Sequence, residues 1–77
     1  MLAYGYERNS EGISPLELEQ TCLTCNMKEL TALIDFLQHV RTEAATMDAA
    51  DGGHWHFRDW DKSWSEEQSD FIIAWKE

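Results

Sequence analysis

The sequence is short of positive charge. Six Lys and Arg stand against fifteen Asp and Glu, for a formal net charge of −9. A surface of that sign repels phosphate backbones, so direct DNA or RNA binding is not expected. Anionic membrane surfaces are disfavoured for the same reason. Long apolar runs are also missing. None approaches the ~20 residues that a membrane-spanning helix needs. The stretch from Met1 to Glu7 has neither the basic start nor the apolar middle of a signal peptide, and the expected compartment is the cytoplasm. Only two cysteines are present, and in such a chain they are expected as thiols rather than as a structural disulfide. No local Ser-His-Asp or Cys-His signature is present, so the expectation is a protein that is not an enzyme and that needs no cofactor.

What the chain does have is aromatic surface. Four Trp, three Phe and two Tyr sit in 77 residues, and 43% of the chain is hydrophobic. That composition describes a single globular domain, residues 1–77, rather than a disordered segment. A domain this small buries only about 60% of the surface its unfolded chain exposes. Large aromatic side chains are the strongest means of stabilising it, and some of them are available for a binding surface.

Pattern along the chain predicts the elements. Tyr4 and Tyr6 mark a strand over 2–8, and Asn9, Ser10, Glu11 and Gly12 read as the turn after it. Pro15 stands where a strand tolerates it, ahead of the alternating run 16–23. The two strands form a hairpin. Asn26 with Glu29 three residues later has the form of a capping box. From there Met27, Leu30, Leu33, Ile34, Leu37 and Val40 recur at helical spacing, which predicts an amphipathic helix over about 27–46, closed by Asp51-Gly52-Gly53. A strand over 54–59 follows, with Trp55 and Phe57 on one face and His54, His56 and Arg58 on the other. Residues 60–70 read as a polar loop holding two Trp, with one short helical turn after Ser65. Phe71-Ile72-Ile73-Ala74-Trp75 is the last strand. The order strand, strand, helix, strand, strand predicts an α+β fold of two layers. In it a four-stranded antiparallel sheet carries the single helix on one face and leaves the other face open. The expected core is Leu16, Leu18, Leu30, Leu33, Ile34, Leu37, Val40, Trp55 and Phe57. On that reading Leu37→Ala costs about 2–5 kcal/mol.

Three groups of residues bear on chemistry. Cys22 and Cys25 form a C-x-x-C ahead of the helix, where thiol pKa values fall. The sole proline, Pro15, lies upstream of both cysteines. The proline that faces the dithiol in thioredoxin-like sites therefore has no candidate here, and packing by two small side chains is the simpler account. With His54 and His56, the same cysteines make up the residue types of a tetrahedral zinc set, although no second C-x-x-C or H-x₃₋₅-H accompanies them. A small metal-binding or thiol-redox domain is the alternative function on these grounds. The third group is a run of carboxylates, Asp59, Asp61, Glu66, Glu67 and Asp70, with Trp60 and Trp64 among them. A polar loop gives acid–base catalysis little shelter. Acidic residues around Trp do suit a docking surface for a basic protein, because Trp is a frequent hot spot and complementary charge speeds encounter.

The helix ending in Gly-Gly, the run Gly53-His54-Trp55-His56-Phe57-Arg58-Asp59-Trp60, then Ser65 and Ser69-Asp70-Phe71-Ile72-Ile73 together resemble small bacterial immunity proteins. Such proteins are the antitoxin partners of polymorphic toxins, and the similarity points to the family called immunity protein 32. It covers roughly residues 16–77; residues 1–15 and the C-x-x-C lie outside the matching motif. The resemblance implies a non-enzymatic cytoplasmic α+β protein that binds and neutralises a toxin. Apart from the resemblance, the chain is expected as a monomer or homodimer. The docking residues expected from sequence are His54, His56, Arg58, Asp59, Trp60, Asp61, Trp64, Glu66 and Glu67.

Overall fold

A computed structural model describes residues 1–9, 14–48 and 51–76. Its elements run β1 (Ala3–Gly5), β2 (Leu16–Leu18), α1 (Met27–Ala44), β3 (Gly53–His56), α2 (Phe57–Trp60) and β4 (Ile72–Trp75). The α+β class is as expected, but the single four-stranded sheet is not formed. Among the described residues the strands make two separate antiparallel ribbons, β1 with β2 and β3 with β4. The first ribbon is three residues long on each side, with Ala3 opposite Leu18 and Gly5 opposite Leu16. Strand 16–23 therefore stops at Leu18, and strand 2–8 is confined to Ala3–Gly5. Asn9 takes a left-handed φ of 66° as the chain leaves β1; the rest of the turn expected over 9–12 lies outside the described residues. The radius of gyration is 13.4 Å, against about 11.5 Å for a tightly folded chain of this length.

Helix α1 begins as the sequence dictates. The Asn26 side chain accepts the Glu29 amide at 2.8 Å, and Glu29 Oε1 accepts the Asn26 amide at 2.9 Å. That reciprocal pair satisfies two of the N–H groups a helix leaves unpaired. At the other end the bonds tighten from i→i+4 to i→i+3, with Thr46 N–H on Glu43 O and Met47 N–H on Ala44 O. Gly52 then takes a φ of +64°, and a Cβ there would sit 3.0 Å from the Trp75 carbonyl oxygen. Only glycine meets both conditions at no cost.

The core lies elsewhere than on the expected stripe. Among the described residues only Phe36, Val40 and Ala44 are fully buried, and Phe36 is 1% exposed. They repeat every four residues along one side of α1. Leu33, Leu18, Trp55 and Phe57 are half-buried, whereas Leu16, Leu30, Ile34 and Leu37 are exposed. The apolar arc of α1 is about half the helix circumference at 100° per residue, and the C-terminal elements cover only the half that carries Phe36. Phe36 meets the Phe57 ring edge-on at 5.4 Å and 77°, and the Trp60 ring at 6.4 Å. Trp55 pairs with Ile73 across β3 and β4 on the half-buried face of that ribbon, where Met47 also lies against Gly53.

Candidate partner-binding surface

Strand β3 keeps its alternation only as far as His56. His54 and His56 share a face as expected, with ring centroids 5.4 Å apart. Beyond them the expected strand 54–59 gives way to the helical turn α2. The cause is a residue twelve or more positions downstream. Asp70, just ahead of β4, accepts His56 Nδ1–H at 2.7 Å through Oδ2. Its Oδ1 accepts the Arg58 amide at 3.0 Å and the Phe71 amide at 2.9 Å. The Phe57 amide donates to Phe71 O at 2.8 Å. Asp70 thus takes up an N–H of the first turn of α2, a cap supplied from the segment that leads into β4. The turn swings Phe57 onto Phe36 instead of leaving it beside Trp55.

Partial burial of the Asp70 carboxyl works to raise its pKa. The hydrogen bond from His56, the amides of Arg58 and Phe71 and the charge of His56 outweigh that effect, and the carboxyl sits below its ordinary value of 3.8. The Arg58 guanidinium also approaches, with Nε 3.7 Å from Asp70 Oδ2.

His39, from α1, joins this region. Its ring stacks on Trp60 at 4.7 Å and 25°, and its Nε2 lies 2.7 Å from Glu43 Oε1, one helical turn on. All three histidines, with Trp55, Asp59 and Trp60, wall an open cleft of about 270 Å³. His39 carries no signal of this role in the sequence beyond its i,i+4 relation to Glu43; only the tertiary fold brings it to His54 and His56.

The two Trp expected in one loop are separated: Trp60 ends α2, and Trp64 lies in the loop after it. Trp60 stays 38% exposed. Trp64 is half-buried, and its indole N–H donates to Ser69 O at 3.1 Å. The helical turn expected after Ser65 is a hydrogen-bonded turn, in which the Gln68 amide reaches Ser65 O and Gln68 Oε1 accepts the Ser65 amide. The carboxylates divide likewise. Asp59, Glu66 and Glu67 are exposed. Asp61 Oδ1 is occupied by the Ser63 amide and hydroxyl, and Asp70 holds the β3 end. The exposed acids are free to meet a ligand from solvent; the other two serve the fold.

Cys22 and Cys25 are both exposed and free. Among the described residues no group of three or more His, Cys, Asp or Glu is gathered in a way that would hold a metal ion, so Cys22, Cys25, His54 and His56 do not come together as a ligand set. No helix among the described residues is long and apolar enough to cross a membrane.

Neither a curated protein nor a solved structure matches this chain. The model of one protein family, immunity protein 32, matches it over residues 23–76. That span is well over half of the chain. It includes α1, the β3–β4 ribbon, α2 and the acidic loop, and it leaves β1 and β2 outside. The elements that build the cleft are those of the match, and the chain belongs to the immunity protein 32 family.

Proposed function

We propose that this protein binds and neutralises a cognate toxin in the cytoplasm, without catalysis. Its docking face is the cleft and the adjoining acidic loop. Family membership supports the protein partner. The observation that carries the site is the exposed Trp60 indole, held by stacking on His39 and flanked in the chain by the exposed Asp59 and, further on, Glu66 and Glu67. A rigid, half-exposed aromatic with acids around it suits a basic partner: the ring offers an anchor, and the acids steer the encounter. His54, His56 and Arg58 border the same face, whereas Trp64 and Asp61 are engaged within the loop and support its shape. A basic toxin is the partner this charge favours. A toxin that acts on nucleic acid has that charge, and the acidic face would stand in for its substrate.

The test is binding kinetics with the product of the adjacent gene, at two salt concentrations, on variants shown to be folded. Charges at a rim set mainly the association rate, and buried anchors set mainly dissociation. Neutralising Asp59, Glu66 and Glu67 together is expected to slow association and flatten its salt dependence. Trp60→Ala is expected to speed dissociation by about tenfold or more. Wild-type rates for both variants at both salts would move the interface away from this face.

A further inference from the structure

The half of the α1 apolar arc that faces away from Phe36 is a second surface, which the described residues leave exposed. Met27, Leu30, Ile34 and Leu37 are between 39% and 74% exposed. Their spacing is three, four and three residues, the a/d repeat by which two helices pack along one seam. Leu23, also exposed, stands four residues ahead of Met27. A row of large apolar side chains at that spacing is more than the scattered exposure normal for a surface.

We propose that a second copy of this chain covers this row, through an antiparallel α1–α1 contact about a two-fold axis near residue 32. Such an axis sets Met27 against Leu37 and Leu30 against Ile34, so each layer pairs one stripe residue with a different one. Arg41, the next residue at that spacing, then falls beyond the first turn of the other copy's α1, which starts at Met27. A parallel arrangement would place Arg41 against Arg41 in the seam. Charge selects the occupant. The chain carries a net charge of −9, so two copies repel unless they meet where acids are few. Over the span 23–41 the charged residues are Lys28, Glu29, Asp35 and Arg41, which balance, and none of the four apolar stripe positions is acidic. The acidic loop is the reverse case: it repels a second copy and attracts a basic protein. A basic toxin finds no opposite charge in the stripe. The seam is about 15 Å long at 1.5 Å per residue, which places the contact among small interfaces of weak affinity.

The proposal does not depend on toxin binding, and salt separates the two. Salt screens repulsion between acidic copies, so it strengthens self-association, while it weakens an acidic-to-basic complex. The experiment is sedimentation equilibrium of the full chain at low and high salt, alone. The expected result is a monomer–dimer equilibrium that shifts toward dimer as salt rises. Ile34→Glu is expected to weaken dimerisation at least about tenfold, and Leu30→Gln to weaken it with less risk to folding; both should keep the wild-type thermal midpoint in dilute solution. In a Cys22→Ser/Cys25→Ser background, Met27→Cys/Leu37→Cys is expected to cross-link under mild oxidation, and Met27→Cys alone is not. A wild-type chain that stays monomeric throughout its soluble range overturns the proposal. So does a dimer that salt dissociates, or one that both stripe variants leave intact. Efficient cross-linking of Met27→Cys alone overturns the antiparallel arrangement.

Discussion

The described residues form two antiparallel ribbons of similar size with very different support. The β3–β4 ribbon is held at both ends. Met47 packs on Gly53 at one end, and Asp70 binds His56 and the first turn of α2 at the other. Through that turn, Phe57 and Trp60 reach Phe36. The β1–β2 ribbon has Leu18 over Gly5 as its own packing, and Leu2, Tyr4, Tyr6 and Leu16 are exposed. A tie from its exit to the rest of the chain is the Arg8 guanidinium on Glu67 O at 3.2 Å. An isolated two-stranded ribbon is marginal in water and needs a partner surface. Among the described residues one ribbon has such a surface and the other largely lacks it. The matched family region contains the supported ribbon and stops short of the other.

The comparison is broken most directly at Phe36. The ring is the one large side chain fully buried among the described residues, and it alone joins α1 to both aromatic residues of α2. Phe36→Ala is expected to cost about 3–5 kcal/mol, a large part of the stability of a domain this small. Urea unfolding followed by Trp fluorescence should show the midpoint fall sharply. A variant with the wild-type midpoint would mean that the β3–β4 ribbon stands without α1.

Asp70 is the next test, because it ties the ribbon to α2 without apolar contact. Asp70→Asn is expected to cost about 1–3 kcal/mol near neutral pH, the range for a broken, partly buried hydrogen-bond set. The pH dependence has a definite sign. The folded-state pKa of Asp70 lies below 3.8. Its contribution is therefore fully present above the unfolded-state value and is lost as pH falls through the folded-state value. The gap in urea midpoint between wild type and Asp70→Asn should narrow as pH drops below about 4. A gap that is constant from neutral pH to below that range would show that the carboxylate charge is not what holds the clamp.

These two residues also mark what could be read from the sequence. The capping box at Asn26 and Glu29, the bounds of α1 within two residues, the first hairpin and the last strand all follow from local pattern, because their causes lie within a few residues of one another. The shared face of His54 and His56 follows from strand alternation for the same reason. The end of β3 does not. Alternation through Phe57 is intact in the sequence, and it is overruled by Asp70, fourteen residues from His56. Nor does periodicity say which half of a wide apolar arc is covered. Phe36, Val40 and Ala44 were available at i, i+4 spacing, but so was the richer row Met27, Leu30, Ile34, Leu37. The fold buries the row with the aromatic residue, since Phe57 and Trp60 need a ring to pack on. At the candidate site, sequence picks out Trp60 and the acids; which Trp is exposed and the presence of His39 depend on the tertiary fold.

The smallest expected effect is the sharpest test of the two faces of α1. Leu37 is adjacent to Phe36 in sequence, but it is 40% exposed where Phe36 is 1% exposed. Much of its apolar area stays in water after folding, so little transfer free energy is lost on truncation. Ala is also the better helix former, by a few tenths of a kcal/mol, which offsets part of that loss. Leu37→Ala should therefore cost less than about 1 kcal/mol in dilute solution, well below the 2–5 kcal/mol that the helical pattern alone suggests. The measurement is the urea midpoint at low protein concentration, beside Phe36→Ala under the same conditions. A midpoint shift that grows with protein concentration is the mark of a stripe covered by another copy, since only the wild type then gains from association. A large shift that does not depend on concentration would instead show that the same chain covers Leu37, with the β1–β2 ribbon as the element that would have to move onto it.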